Sequence, residues 1–222
     1  MGTYPDYKTY RALYARYHQR GVEKLLHLLR PLDGMGVVDL CGGDGRLTSR
    51  MLASGAESVL FVDAEPAMIP PMIRRHKRVH VEMTEVRTAL SDALARGDRF
   101  DRIVCQQAVN YWLDKDTAAS VARLLRPGGI FAFNTFNQCP PEIPRILQYE
   151  LDGHAFVEVS WLVGADVHHL QVRDGMEPHH TVFQWLSPEH LYTLLAPHFF
   201  VYEEGDEKTS LYRCERKEES HS

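Results

Sequence analysis

Val37-Val38-Asp39-Leu40-Cys41-Gly42-Gly43-Asp44-Gly45-Arg46-Leu47 is the stretch on which the fold is decided. Its first residues are apolar and β-branched, as a buried parallel strand requires, and they run straight into a glycine-rich turn and then a helical pattern. A strand, a tight loop and a helix start are therefore expected. Glycine at 42, 43 and 45 permits positive φ and lets a ligand approach without meeting a Cβ. A helix beginning near Asp44 aims its free N–H groups at whatever lies above the loop.

Two familiar nucleotide loops fit poorly. The dinucleotide fingerprint wants a third glycine where this chain has Thr48. The phosphate loop wants Lys followed by Ser or Thr after the glycines, and none is there. The run from Asp39 to Gly45 instead resembles the first motif of the class I methyltransferases that use S-adenosylmethionine, in which an acidic residue closes the first strand before D/E-x-G-x-G-x-G. Cys41 stands where that family has its first glycine. The resemblance implies that Asp39, Cys41, Gly42, Gly43 and Gly45 lie against the cofactor.

Ser58-Val59-Leu60-Phe61-Val62 is a second apolar strand, ending in Asp63. In a βαβ unit an acidic residue at that tip points back over the first loop, where it can accept both hydroxyls of a ribose. The alternative is that Asp63 caps a helix starting at Pro66. The run Val62-Asp63-Ala64-Glu65-Pro66-Ala67-Met68 also resembles the family's V-D-x-S-x-x-M segment, which adds Ala64 and Met68 to the implied cofactor set.

Composition narrows the class of function. With 222 residues, 44% of them hydrophobic, and no apolar run near 18, the chain reads as one soluble domain with a central sheet. The Tyr- and charge-rich N-terminus does not read as a secretory signal, so a cytoplasmic location is expected. A formal charge of −5, from 25 basic and 30 acidic residues, offers no field for a polyanion. The expected partner is a small molecule, with no nucleic acid and no membrane, and the chain is expected to be a monomer or homodimer. The four cysteines are scattered and the His doublets lack metal-ligand spacing, so no metal is expected.

Tyr4, Tyr7, Tyr10, Tyr14 and Tyr17 recur at helical spacing, placing them on one side of a helix. They form either an aromatic packing face or a lid over the cofactor, as the resemblance implies for a helix before the first strand. Aromatic faces attract a sulfonium, and Tyr14 and Tyr17 are the candidates for that contact. A second helix, from Val22 to Leu29, delivers the chain to the first strand.

After Asp63, Pro70 and Pro71 should shorten or kink the next helix, since proline costs about 3 kcal/mol in a helix interior. Val79 to Met83 reads as the third strand, with Thr84 and Glu85 at its tip; the family places an acid there for the adenine amino group, which implies Glu85. Phe100 to Trp112 holds the fourth strand and its exit loop and resembles the family's F-D-x-V-x-x-x-x-x-L-x-x-W, so that Gln106 and Gln107 flank the methionine part of the cofactor. A helix over Thr117 to Leu125 closes in Arg126-Pro127-Gly128-Gly129 ahead of a fifth strand, Ile130 to Asn134, and L-x-P-G-G before a strand is another family mark.

Beyond it the chain alternates over Phe156 to Trp161, Val167 to Val172 and Thr181 to Trp185, separated by turn residues. Antiparallel strands are expected, resembling the β-insert that covers the active site of small-molecule methyltransferases. Ser187-Pro188-Glu189 starts a capped helix, and Phe199 to Tyr202 with Leu211 to Cys214 form a closing hairpin.

The expected architecture is α/β: a doubly wound, seven-stranded, mostly parallel sheet of the class I methyltransferase type, with an antiparallel β insert near the C-terminus and an N-terminal helical lid. It is one domain, with the lid over 1–30, the cofactor core over 35–135, the insert over 150–186 and the closing helix and hairpin over 187–215. The implied chemistry is in-line methyl transfer to a nitrogen, oxygen or carbon of a small molecule, which needs alignment, exclusion of water and sometimes a base. Asn134, Tyr111, His168 and His169 are the candidates to reach the acceptor, the two histidines pointing to opposite faces of one strand. Two alternatives stay open: a cyclase or lyase that consumes the cofactor to give methylthioadenosine, and a non-catalytic cofactor-binding subunit.

Overall fold

The computed structural model describes residues 7–8, 21–136, 142–151, 153–175, 178–205 and 209–218. The strands of the central sheet are β1 (Gly36–Leu40), β2 (Ser58–Val62), β3 (Val79–Glu82), β4 (Phe100–Gln106), β5 (Leu125–Phe136), β10 (Phe199–Gly205) and β11 (Thr209–Arg216), in the order β10-β11-β5-β4-β1-β2-β3. β1 to β5 are parallel, and β11 runs antiparallel to both β5 and β10. The expected seven-stranded doubly wound sheet is thus present.

Alternate residues of each strand feed two cores. Val37, Val59, Val104, Ile130 and Ala132 pack with Leu25, Leu29, Leu47 and Met51, from the helices α1 (21–29) and α2 (Arg46–Ala53). Val38, Leu60, Ile103, Phe131 and Phe133 face the other way, onto residues such as Leu90, Val121 and Leu191 from α4 (Val86–Arg96), α5 (Lys115–Leu124) and α6 (Pro188–Leu195). A strand buried on both faces has no polar side to show, which is why β2 reads as an apolar run from Val59 to Val62. Burying each Val or Leu contributes about 1.5–3 kcal/mol, so the two layers together fix the sheet.

Local signals place the helices. Asp114 and Thr117 form a reciprocal capping box at the start of α5, and Ser187 accepts from the His190 N–H at the start of α6. The two prolines after Asp63 act as anticipated: a 3₁₀ turn (Pro66–Met68) is followed by a four-residue helix α3 (Pro71–Arg74). At the other end of α1, arginines from the sheet satisfy the last carbonyls. Arg102 Nε donates to Leu29 O at 2.7 Å and Arg213 Nη1 to Leu28 O at 2.9 Å. No helix among the described residues is long and apolar enough to cross a membrane.

The insert is a separate antiparallel sheet of four strands, β6 (Arg145–Leu151), β7 (His154–Val163), β8 (Asp166–Arg173) and β9 (His179–Gln184), paired in sequence order. β7 and β8 are joined through Gly164, at φ 63, and Ala165. The sequence reading anticipated three of these strands and missed β6, so the sheet starts at residue 145 rather than 150. As an exposed edge strand, β6 lacks the alternation that marks a half-buried one.

Candidate active site

The parallel strands all end on one side of the sheet, and the chain reverses its winding between β1 and β4, which pair side by side. A crevice at such a switch point, beyond the carboxyl ends of the strands, is where open α/β sheets bind ligands. Here a cleft is lined by Asp39, Cys41, Gly42, Gly43, Asp44, Leu47 and Gln106. Two non-glycine residues at its rim hold left-handed backbones, Cys41 after β1 and Gln107 after β4, both at φ 56. Strain of this kind costs about 1–3 kcal/mol and persists where the surroundings enforce it.

The glycines divide their work. A Cβ on Gly42 would fall 2.2 Å from the Phe61 ring, and one on Gly45 would fall 2.3 Å from Ile73 Cγ1. At both positions the missing side chain makes room for the protein's own core, while the Gly42 backbone still lines the cleft. Gly43, at φ 53, would place its Cβ no nearer than 3.9 Å from any atom, so it is the glycine that opens the cleft.

Acidic groups surround this loop. Asp39 is buried at the end of β1, and Thr48 Oγ1 donates to its Oδ2. Burial raises its pKa to about 7 against the opposing Thr48 bond. Thr48 therefore occupies the third-glycine position of a dinucleotide loop in order to hold this carboxyl. Asp63, at the tip of β2, accepts the Gly43 N–H on Oδ2 at 2.8 Å and the Glu65 N–H on Oδ1 at 2.9 Å. It does not cap the turn at Pro66; that role falls to Glu65, which accepts from Ala67 N–H. Burial raises the Asp63 pKa, and the carboxylates of Glu65 and Glu85 add to it by like-charge repulsion. Ala64 is exposed beside Asp63, Met68 is turned into the interior, and Thr84 is half-buried next to Glu85.

On the other flank, Asn134 of β5 lies opposite Gln106 of β4. Its Oδ1 accepts the Gln107 N–H at 3.0 Å, which fixes the left-handed turn. Its Nδ2 is buried with no partner among the described residues. A Cβ on Gly21 of α1 would stand 3.5 Å from that Nδ2 and 3.4 Å from Gln106 Nε2, ordinary contact distances, so the start of α1 packs beside both amides. Tyr14 and Tyr17 lie outside the described residues.

The insert docks beside the same strand tips. Asn110 accepts from Thr135 Oγ1 at 2.7 Å and donates through Nδ2 to Gln184 O at 2.9 Å, pinning β9 to the end of β5. The adjacent Tyr111, half exposed, packs its ring on Phe183 at 5.4 Å. Paired residues across a sheet share a face, so Phe183, Val167 and Leu162 look toward Tyr111, and so do Thr181, His169 and Ser160. His169 Nδ1 lies 2.8 Å from Ser160 Oγ, and burial lowers its pKa against the pull of Glu158.

His168 projects from the opposite face. It stacks on Trp161 at 5.2 Å and on His180 at 5.2 Å, with its Nδ1 3.1 Å from His180 Nε2. The strand alternation that separates it from its neighbour puts it on the face away from Tyr111. Thr48, Asn110, Thr135 and Phe183 were not singled out from sequence. Only their tertiary partners give them meaning, and no local spacing marks them.

Residues 37–129 match a methyltransferase domain family. Over 112 residues, 50% of this chain, the sequence is 33% identical to a ubiquinone biosynthesis O-methyltransferase of Cereibacter sphaeroides, and the match spans 44% of that relative's length. Among solved structures the chain is similar to S-adenosylmethionine-bound CalS10, an amino pentose methyltransferase of Micromonospora echinaspora, with a TM-score of 0.67 and 16% identity over 95% of both chains. It is also similar to the sugar N-methyltransferase KedS8 of Streptoalloteichus, with a TM-score of 0.61 and 18% identity over 93% of this chain and 88% of that one. At such identities the structural likeness speaks for the fold.

Proposed function

We propose that this chain, which carries a class I S-adenosylmethionine-dependent methyltransferase domain, transfers the cofactor's methyl group to a small molecule held beneath the β insert. The observation that carries the reading is the cleft at the β1–β4 switch point, where Gly43 leaves open space and Asp39 and Gln106 line the wall. Those features suit the cofactor: a glycine cradle, carboxyls at the tips of β2 and β3, and polar side chains on β4 and β5.

When bound, the cofactor supplies a methyl group already activated by a sulfonium. The protein's own residues then have to bind, align and exclude water. Asp63 accepts from hydroxyl groups at the loop, each of its oxygens keeping a lone pair beyond its backbone bond, and Glu85 lies on the same side. Asp39 and Gln106, which line the cleft, face the polar amino-acid end. Tyr111 and Phe183 form an aromatic wall for the acceptor.

Among acceptor atoms, a hydroxyl is the reading favoured here. His169 lies on the acceptor-facing side of β8, two strand positions from the Val167–Phe183 pair, and burial keeps its imidazole neutral, ready to take a proton. The O-methyltransferase relative agrees with that choice. The two sugar enzymes support an amine as the second reading. The polar inner face of the insert gives a second molecule somewhere to bind, which favours transfer over self-consumption of the cofactor.

The test is incubation with S-adenosylmethionine, alone and with a panel of small phenols, alcohols and amines, followed by mass spectrometry. S-adenosylhomocysteine formed only in the presence of an acceptor supports the proposal. Methylthioadenosine formed without any acceptor refutes it.

A further inference from the structure

The acceptor-facing side of the insert continues beyond Phe183 and His169 into a polar patch that none of the roles above uses. Tyr149 of β6, Glu158 of β7 and Gln171 of β8 share this side with His169, as the strand pairing requires. Glu158 Oε1 accepts two hydrogen bonds, from the Tyr149 hydroxyl at 2.6 Å and from Gln171 Nε2 at 2.7 Å. The donors are themselves held. Tyr149 stacks on Phe156 with ring centres 5.2 Å apart and planes 8° apart, and Gln171 is only 8% exposed.

Both bonds fall on one oxygen. Oε2 takes none among the described residues. A half-buried carboxylate is costly unless donors hold it, and here the arrangement fixes the group while leaving one oxygen to accept from outside. The neighbouring groups are compatible with this. Burial lowers the pKa of His169 and of His179, which pairs with Gln171 on the same face, and Arg173 lies over the Phe156 ring, 5.5 Å from its centre.

We propose that Glu158 forms the far end of the acceptor subsite and that the acceptor carries a cationic amino group there, which donates to Oε2. This deepens the methyltransferase reading and rests on it. Same-face neighbours lie about 7 Å apart along a strand and strands about 5 Å apart, which puts Glu158 roughly 17 Å from Phe183 and roughly 9 Å from His169. A phenol with a two-carbon aminoalkyl arm, its hydroxyl at His169 and its ammonium at Glu158, spans the second distance. Charge-assisted hydrogen bonds are the stronger kind, so an amine should outbind its neutral analogue.

The test uses three matched probes, tyramine, tyrosol and 4-hydroxyphenylacetate, titrated calorimetrically into the protein saturated with S-adenosylhomocysteine. Tyramine is expected to bind at least tenfold more tightly than tyrosol, and the acid more weakly than either. Glu158→Gln, nearly isosteric, should bring tyramine to the level of tyrosol and leave S-adenosylhomocysteine affinity unchanged. Tyr149→Phe, which keeps the charge and loosens it, should cost tyramine only a few-fold. Equal binding of the three probes, binding of none, or a preference that survives Glu158→Gln overturns the proposal. The wild-type comparison decides the matter even where a variant fails to fold. Failure of S-adenosylhomocysteine itself to bind strikes the underlying cofactor reading instead, so the two failures are told apart.

Discussion

Asn134 Oδ1 accepts the backbone N–H of Gln107 at 3.0 Å and thereby holds a non-glycine residue at φ 56. Removing the side chain orphans a part-buried N–H, which costs about 1–3 kcal/mol, so Asn134→Ala should lower the thermal midpoint by several degrees. Gln107→Gly removes the steric penalty of the left-handed turn, about 1–2 kcal/mol, although glycine's unfolded-state entropy offsets part of it. The double variant should therefore be more stable than Asn134→Ala alone. A double-mutant cycle by denaturant unfolding checks the coupling; strict additivity would mean that Asn134 does not hold the turn.

Gly42 and Gly43 are adjacent in sequence and opposite in consequence. A methyl on Gly42 collides with the fully buried Phe61 ring, and overpacking of that kind costs about 1–3 kcal/mol or more. On Gly43 it meets open space, with only the left-handed backbone, about 1–2 kcal/mol, against it. Gly42→Ala is expected to lose more stability than Gly43→Ala. Gly43→Ala should fold and yet bind S-adenosylhomocysteine at least tenfold more weakly. Thermal unfolding and calorimetry on the pair separate the two effects, and equal affinities in wild type and Gly43→Ala would contradict the assignment.

Asp39 makes the free protein sensitive to pH in the direction opposite to most carboxyls. Its folded pKa is raised to about 7 from an ordinary 3.8, chiefly by burial, so between those values the folded state holds more protons than the unfolded one. Stability from this group is fully present below pH 4 and is lost as pH rises through 7, by an amount on the order of 4 kcal/mol as an upper limit. Asp39→Asn should flatten that slope and stabilise the free protein at pH 8. Cofactor affinity should move the other way. A cationic ammonium beside the cleft favours the ionised carboxyl, so S-adenosylhomocysteine should bind more tightly as pH rises through 7 in the wild type and not in Asp39→Asn. Urea titrations and calorimetry across pH 5 to 8 test both slopes.

The central strands were legible where they are buried on two faces and read as apolar runs, as in Val59 to Val62. The Ser187 cap gave α6 and the Arg126-Pro127-Gly128-Gly129 stop gave α5, both local signals. β6 was missed because its residues are exposed and do not alternate. Within the site, the loop around Gly43 could be found from spacing, whereas Asn110 owes its part to Thr135 and Gln184, 25 and 74 residues away. The packing demand on Gly42 and Gly45 is illegible in sequence for a similar reason, since Phe61 and Ile73 are their neighbours only in the fold. Alternation along β8 told His168 from His169, but the docking of β9 on Tyr111 was needed to say which faces inward.

That distinction gives a paired experiment on the proton acceptor. His169 stands two strand positions from the Phe183 pair, on the side that meets Tyr111, with Ser160 Oγ 2.8 Å from Nδ1. Burial holds its pKa below the ordinary 6.5, so the imidazole is neutral and basic through the physiological range. General-base catalysis contributes about 10²–10⁴-fold, and His169→Ala should lower turnover of a hydroxyl acceptor by that factor, followed as S-adenosylhomocysteine formation. The wild-type rate should fall on the acid side only below pH 6.5, because protonation there removes the base. His168→Ala loses a stack with Trp161 and His180 on the outer face and should stay within twofold of wild type. An amine acceptor that arrives neutral needs no strong base, so a rate untouched by His169→Ala on such a substrate, alongside collapse on a phenol, would locate the proton transfer at His169. Equal losses from the two histidine variants would mean that the insert docks in solution with its other face inward.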